Sequence, residues 1–550
     1  MRPIVMHRFV EEADRQNRFD VVIVGGGITG AAAAYEAASR GYSVALLEKG
    51  DFGGATSSAT GKLIHGGLRY LKRFDLSLVR EALKERRILS NIAPNLVYPF
   101  PMVLSNPGLL ERIGLFVYDL LSFDRNRTWD KSKRIPSHKL LSKDEIRNKN
   151  LGNMEKAIYF YDCIMLSPER LTLHFLKSAV RFGAKLSNYT KVDEFLWKGN
   201  RVVGVAATDT LNGNRMELRS DVVVNASGPW IQDLLNRDKR TETPLPKERS
   251  EGIYLITKKY FDVMTLQVGK KGHFSFAPWR NHNMIGPTEK AYYGSVEDWK
   301  LSRESILEFL DAINSSGLLP QKLGIDDVQF AYGGLRPLAE TSGKGGTYSA
   351  SRKSELQDHG KAGIQGLITA GGGKYTTSRD FAEKIFSLIR KKIQKKPGPK
   401  ISSRKHLEGC EISDIESYLS ESKRKNSDFS ENTVDYLVRH YGTESETILD
   451  AARSSGDLAR VLDEDGEILA QVFYALRYEM AKNLEDIFLR RTGLGTLGCP
   501  EDSVLESAAV LAASELGWSE EKKRQELDSI RRRLKLYSVS SNVPSQKRTQ

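Results

Sequence analysis

The sequence predicts a mixed α/β chain: a parallel sheet flanked by helices, a second strand-rich region, and an all-helical C-terminal domain. Three observations carry this. Apolar residues 21–24 run straight into Gly25-Gly26-Gly27-Ile28-Thr29-Gly30 and an alanine-rich stretch, 31–40, the strand, turn and helix order from which parallel sheets are built. Short strand-like runs separated by turns fill residues 245–345, and beyond residue 407 the apolar residues recur with helical spacing.

A chain of 550 residues exceeds one hydrophobic core, so two to four domains are expected. With 40% apolar, 28% charged and 9% aromatic residues it reads as globular. Residues 1–18 read as a polar leader with a helical pattern, 19–24 as a buried strand, 31–40 as a helix closed by Gly41, and 42–47 as a second strand ending at Glu48. Leu76, Val79, Leu83 and Leu89 lie close to one face of a helix over 75–92, whereas 100–160 is less regular. A helix over 168–182 follows, then strands over 192–206 and 216–226, the second ending in the turn Gly228-Pro229-Trp230. Strands are expected at 253–257, 273–278, 284–286 and 366–369, with helices over 302–315 and 378–392, the latter stopped before Pro397 and Pro399. The C-terminal helices are expected at 434–441, 446–452, 466–479, 483–490 and 503–516, and the last dozen residues read as disordered. These elements divide into a cofactor domain in three pieces (19–100, 166–245 and 351–395), an insertion at 101–165, a substrate-binding region at 246–350 and a helical domain at 407–537.

Composition narrows the function classes. The apolar stretch 21–34 is too short to span a bilayer and follows acidic residues, so neither a signal peptide nor a transmembrane helix is expected, and the cytoplasmic side follows. Cys163, Cys410 and Cys499 lie far apart, without metal or disulfide spacing. The net charge is +13, concentrated at 390–405 and 522–535. Such runs suit a solvated surface or anionic lipid; nucleic acid is not expected, because no aromatic motif interleaves with them.

The glycine turn carries the chemistry. Gly25 permits the tight turn, Gly27 leaves room for a pyrophosphate and Gly30 lets helix and strand approach, while the helix N-terminus offers unsatisfied N–H groups. Glu48, 18 residues beyond Gly30 at the end of the next strand, can accept both ribose hydroxyls and disfavours a 2′-phosphate. The small hydroxyl-rich stretch after residue 52 points to FAD in preference to a nicotinamide dinucleotide.

Thr56-Ser57-Ser58, with Lys62-Leu63-Ile64-His65-Gly66-Gly67-Leu68-Arg69-Tyr70-Leu71, closely resembles the signature of the FAD-dependent glycerol-3-phosphate dehydrogenases. Blocks at 112–119, Asn225-Ala226-Ser227-Gly228-Pro229-Trp230, 334–338, Gly372-Gly373-Lys374-Tyr375-Thr376-Thr377 and 484–492 extend the resemblance from about residue 19 to 535. It implies a Rossmann-like FAD-binding domain, a mixed-sheet substrate-binding cap and a helical C-terminal domain. It also implies oxidation of glycerol 3-phosphate to dihydroxyacetone phosphate, with electrons passing through FAD to a membrane quinone or, in some relatives, to oxygen.

Beside Gly25, Gly27, Gly30 and Glu48, the resemblance implies that Thr56, Ser57, Ser58, Lys62, Leu63, His65, Gly66, Gly67, Ala226, Gly228, Gly373, Lys374, Tyr375 and Thr376 hold FAD. Arg69, Tyr70 and Arg352 would hold substrate, the arginines gripping phosphate through a planar fork. Arg336, Tyr254, Lys374 and His65 would carry catalysis, a cation beside the developing alkoxide lowering the barrier. Tyr254, in Glu251-Gly252-Ile253-Tyr254, stands where the family has a histidine base, and a free tyrosine, with pKa about 10, is a poor base near neutrality. Neighbouring arginines tune Tyr254, or His65 or water takes the proton, or the substrate differs. Gly286-Pro287-Thr288-Glu289 is a second departure in the same region.

Three rival readings stay open: an oxygen-using oxidase, an amine or amino-acid oxidase, and a non-catalytic flavin-bearing scaffold. Residues 109–118, with Arg125, Arg127, Lys131 and Lys133 downstream, read either as an amphipathic element on an anionic lipid surface or as a core-packed helix. A homodimer is left open.

Overall fold

The computed structural model describes residues 3–12, 16–73, 75–151, 154–241, 249–269, 272–337 and 354–537. Arg18–Val24 lies in the middle of an eight-stranded sheet, hydrogen-bonded in parallel to Val44–Leu47 on one side and Arg215–Asn225 on the other. Val21, Val22 and Ile23 are fully buried, as a parallel strand covered on both faces requires. Lys185–Ser187 extends the sheet beyond Val44–Leu47, and Leu367–Gly372 then Ser354–Asp358 extend it beyond Arg215–Asn225. Helices Ile28–Ser39, Pro168–Arg181 and Ser378–Lys392 pack on it through Ala31, Ala34, Phe175, Leu176, Phe381 and Ile385. This is the α/β cofactor domain expected from the glycine turn.

The second sheet has ten strands among the described residues and joins two stretches expected as separate pieces. From the substrate-binding region come Arg249–Lys258, Met264–Gly269, Gly272–Trp279, His282–Gly286, Lys290–Tyr292 and Val328–Pro337. From the region expected to be irregular come Val97–Ser105 and Ala157–Met165, antiparallel over nine residue pairs. Pro99 and Pro101 disguise the first of these, because proline within a strand argues against a central position. The cap is therefore one sheet, with a helix, Leu109–Leu121, inserted between its strands.

Other differences have equally local causes. The single strand expected over 192–206 is a hairpin, Thr190–Lys198 and Arg201–Asp209, turning at Gly199 (φ 56°) and Asn200, a glycine–asparagine pair that is itself a hairpin signal. Among the described residues of the leader the only helical turn is Phe9–Glu12; Met6 is buried and Arg8 pairs with Asp209 at 2.8 Å, so this segment packs on the domain. Both basic runs are paired in part within the chain: Lys392 with Asp358, Lys395 with Asp20, Lys400 with Glu383, and Arg531 with Asp502. The second run lies on a helix, Glu520–Tyr537. The residues expected to be disordered fall outside the described residues. No helix among the described residues is long and apolar enough to cross a membrane.

The helical C-terminal domain is joined to the rest by buried charge. Arg170 and Lys177, on the 168–181 helix, reach Glu479 at 2.6 and 2.7 Å, and Lys177 also reaches Glu444 at 2.6 Å. Arg280 at a cap turn pairs with Asp463 and Asp465. Asp51 accepts from both Arg490 and Arg491 (2.6–2.8 Å). The expected helix over 483–490 widens into a π-helical turn, Ile487–Arg491, the kind of local expansion that recurs at functional sites; here two consecutive arginines converge on one carboxylate.

His174 is fully buried in this interface, its Nδ1 2.6 Å from the Glu408 carbonyl oxygen. Burial, reinforced by Arg170 and Lys177, pushes its pKa down to about 3. Between pH 6.5 and that value the unfolded chain takes up a proton that the folded chain refuses, so folding stability falls as pH falls. Denaturant unfolding of wild type and His174→Gln should show the gap between them narrowing by up to roughly 1.4 kcal/mol per pH unit below 6.5. A gap that stays constant from pH 7 to 5 would contradict the buried neutral imidazole.

Candidate active site

A cavity of about 1790 Å³ runs from the glycine turn to the underside of the cap sheet. Its cofactor end is built from backbone. Gly25 has φ 108°, and a Cβ there would lie 2.5 Å from the Ala226 carbonyl oxygen; at Gly30 a Cβ would overlap the Gly25 carbonyl oxygen. A Cβ at Gly27 would meet only the Ser57 hydroxyl, at 3.0 Å, and otherwise point into the cavity. The turn is thus closed by two glycines and kept open by the third. Ser57 Oγ accepts from the Ile28 N–H at 3.0 Å, tying the 51–58 loop over the helix N-terminus.

The Glu48 carboxylate lies in the wall, accepting from the N–H groups of Gly26 (2.7 Å) and Gly50 (2.9 Å). Burial raises its pKa, and the two N–H donors partly offset this. Each oxygen keeps a lone pair for a ribose hydroxyl. Lys49, Trp230 and Glu297 complete this end: Lys49 Nζ lies 3.7 Å from the Trp230 ring centroid and Trp230 Nε1 donates to Glu297 at 2.8 Å. An open glycine, a helix N-terminus and a tethered carboxylate fit a dinucleotide. Lys49, Trp230 and Glu297 were not legible, because Glu297 is far away in sequence.

Leu63, His65, Gly67, Tyr70, Ala226, Gly228, Gly373, Lys374, Tyr375 and Thr376 all line the cavity. The His65 N–H donates to Thr376 Oγ1 at 3.1 Å, joining the two motif blocks. Lys374 Nζ lies 3.7 Å from the Tyr70 ring centroid, and Gly67 (φ 78°) leaves the space that ring and ammonium share. The Tyr375 hydroxyl, by contrast, donates to the Pro168 carbonyl, so that residue contributes its ring. Thr56 Oγ1 donates to the Leu335 carbonyl at 2.6 Å, linking the loop to the cap.

At the cap end, Tyr254 stacks on Tyr332 (centroids 5.1 Å, interplanar 16°) with its hydroxyl 3.5 Å from Arg336 Nη2. The Arg336 guanidinium occupies the space above Gly252, which admits no side chain there. Both residues line the cavity. Arg352 lies outside the described residues, as does the side chain of Arg69.

Gly30 and Gly66 are packing glycines behind the wall, and Ser58 and Lys62 turn away from the cavity, lining a separate smaller one. Behind Gly66 lies a network that the motif reading missed. The Gly66 N–H donates to the Tyr118 hydroxyl (2.8 Å), Tyr118 donates to Asp162 (2.6 Å), and Arg86 pairs with Asp162 at 2.5 Å, all buried. Burial and the Asp162 carboxylate push the Tyr118 pKa well up, so it remains a hydroxyl donor. A lone acid in the apolar run Tyr161-Asp162-Cys163-Ile164 is the signal that marks this site.

The glycine geometry separates fold from binding. Gly27→Leu should purify folded but without the yellow chromophore, whereas Gly30→Ala should lower the unfolding temperature or fail to accumulate. A Gly27→Leu protein with full flavin content would refute the cradle.

Comparison with known proteins agrees with this geometry. A family described as FAD dependent oxidoreductase matches residues 20–379, and one described as the C-terminal domain of alpha-glycerophosphate oxidase matches 401–523. The glycerol-3-phosphate dehydrogenase of Synechocystis sp. is 31% identical over 531 residues, covering 92% of this chain and 94% of that one. That of Mycobacterium leprae is 30% identical over 556 residues, covering 96% and 90%. The crystal structure of the glycerol-3-phosphate dehydrogenase from Bacillus halodurans complexed with FAD has the same fold, with TM-score 0.76 at 24% identity over 98% of this chain and 99% of that one. The chain belongs to the FAD-dependent oxidoreductases, and within them to the glycerol-3-phosphate dehydrogenase family.

Proposed function

We propose that this protein oxidises sn-glycerol 3-phosphate to dihydroxyacetone phosphate and passes the electrons to a membrane quinone while seated on anionic lipid. The observation that carries the acceptor and the membrane is the 109–121 helix. Leu109, Ile113, Phe116 and Leu120 form one stripe, continued by Phe123, and are 74%, 52%, 64%, 64% and 67% exposed. A core-packed helix buries such a stripe; this one turns only Leu115 and Tyr118 fully inward. Leu110, Ile113 and Val117 also line the large cavity, so the apolar surface continues into the site, the route an apolar acceptor needs. Lys133 is not a lipid contact: it is buried, with Nζ 3.4 Å from the Tyr98 ring centroid.

FAD, when bound, supplies the hydride acceptor. The protein's own residues then orient the substrate and move its proton. Arg69 and Arg352 hold the phosphate, and Arg336 favours the anionic form of whatever oxygen lies beside it. Tyr254 and His65 are wall groups able to take the C2 hydroxyl proton, and Arg336 Nη2 lies 3.5 Å from the Tyr254 hydroxyl. Lys374 stabilises negative charge at the cofactor end.

Anaerobic mixing with glycerol 3-phosphate should bleach the flavin, and Arg69→Ala and Arg352→Ala should each raise KM at least about tenfold, the loss of one charge-assisted bond. No bleaching would discard the substrate. The membrane reading is tested separately. Each apolar side chain taken into lipid contributes about 1.5–3 kcal/mol, so Phe116→Asp with Leu120→Asp should lower affinity for anionic vesicles at least about a hundredfold. Quinone reductase activity should fall with it, while reduction of a water-soluble dye is kept. A wild-type protein that ignores vesicles at every salt concentration and is reoxidised by oxygen as fast as by quinone would favour the oxidase instead.

A further inference from the structure

Beneath the loop that closes over the cofactor lies a second cavity of about 230 Å³, separate from the first. At roughly 30 Å³ per water molecule it has room for a compound of three or four carbons. Gly54, Ala55, Thr56 and Ala59, with Pro229, Trp230 and Arg490, line both cavities. Neither the proposed oxidation of glycerol 3-phosphate nor the electron route uses it.

Lys62 is the residue that calls for a ligand. It is 3% exposed and adopts a left-handed backbone, φ 55°, a conformation that costs a non-glycine residue on the order of 1 kcal/mol. Its ammonium lies 4.5 Å from the Trp279 ring centroid and 5.9 Å from that of Tyr332. Among the described residues, no carboxylate or carbonyl accepts a hydrogen bond from it. Ring faces attract the charge but leave its three N–H donors unmet. Burial works against the ammonium and lowers its pKa, and the Glu169 charge opposes this; among the described residues, however, no carboxylate stands in ion-pair contact with Lys62, and a buried cation is normally paired. Two further cations, Arg490 and Arg533, come from the C-terminal domain. Arg490 is already committed to Asp51 and Asp486. Glu169, 7% exposed, also lines the space and accepts from Ser167 Oγ at 2.9 Å.

We propose that this cavity binds a small hydroxylated oxyanion, with Lys62 receiving the phosphate or carboxylate group and Glu169 accepting from a hydroxyl. The tryptophan and tyrosine rings exclude water around the charge and strengthen the contact. Because the 54–56 segment borders both cavities, occupancy is felt at the cofactor, and the cavity is an effector site, not a second active site.

Inorganic phosphate is the probe, titrated calorimetrically into the FAD-loaded full chain with stoichiometry normalised to flavin. Wild type should bind two phosphates per flavin, one in each cavity, and Lys62→Met one. Glu169→Gln removes the like charge and should tighten the second phosphate roughly tenfold, an arm that decides the matter if Lys62→Met does not fold. A single phosphate in wild type, two in Lys62→Met, or unchanged second-site affinity in Glu169→Gln would each overturn the proposal.

Discussion

A buried carboxylate, Asp51, ties the loop over the cofactor to the helical C-terminal domain. It lies three residues past Glu48, where the cofactor domain's second strand becomes the loop that runs on to the cap. It accepts from Arg490 and Arg491 of the C-terminal domain and from Asn188 Nδ2 at 3.1 Å. Burial alone would raise its pKa, but the two guanidiniums outweigh burial and hold it well below the carboxylate range. Removing one partner from such a site leaves charge stranded, typically at about 3–5 kcal/mol. The loop from 51 to 58 has little apolar content of its own, so its shape over the cofactor rests on this clamp, on Ser57 and on Thr56.

The same economy governs the cap. Tyr118 belongs to the 109–121 helix, whose outer stripe is exposed, and its hydroxyl meets the Gly66 N–H beneath the His65–Gly67 shelf. One face of that helix therefore steadies the cavity floor while the other meets the surroundings. Displacement of the helix would be transmitted to Gly66 through Tyr118 and the Asp162–Arg86 pair. Tyr254, stacked on Tyr332 and within reach of Arg336, is held by the facing strands 249–258 and 328–337.

The cofactor domain is legible in the sequence because its instructions are local: glycines whose spacing has one steric meaning, an acid at a strand end, and a helix that starts where the turn stops. The cap is less so. Val97–Ser105 hides behind two prolines, its partner Ala157–Met165 is some fifty residues away, and no local pattern announces that they share a sheet with 249–337. The Gly199–Asn200 turn, by contrast, is a local signal for the hairpin that forms there. Lys62 shows the limit of motif reading: it sits inside the cofactor signature, yet its side chain leaves the cofactor cavity for the other side of the loop. Asp51 and the paired Arg490 and Arg491 are conspicuous residues, but more than four hundred positions separate them, and only the fold brings them together.

The dependence of the cofactor loop on the helical domain is tested most directly by the FAD dissociation constant of the intact chain when Arg491 is changed to Leu and to Lys. If the clamp shapes the loop, Arg491→Leu weakens FAD binding at least about tenfold, by analogy with loss of one charge-assisted contact, and Arg491→Lys, which retains the charge, recovers part of it. An Arg491→Leu protein that melts at a lower temperature yet binds FAD as tightly as wild type would contradict the account, because the arginine pair would then hold domains together without shaping the site.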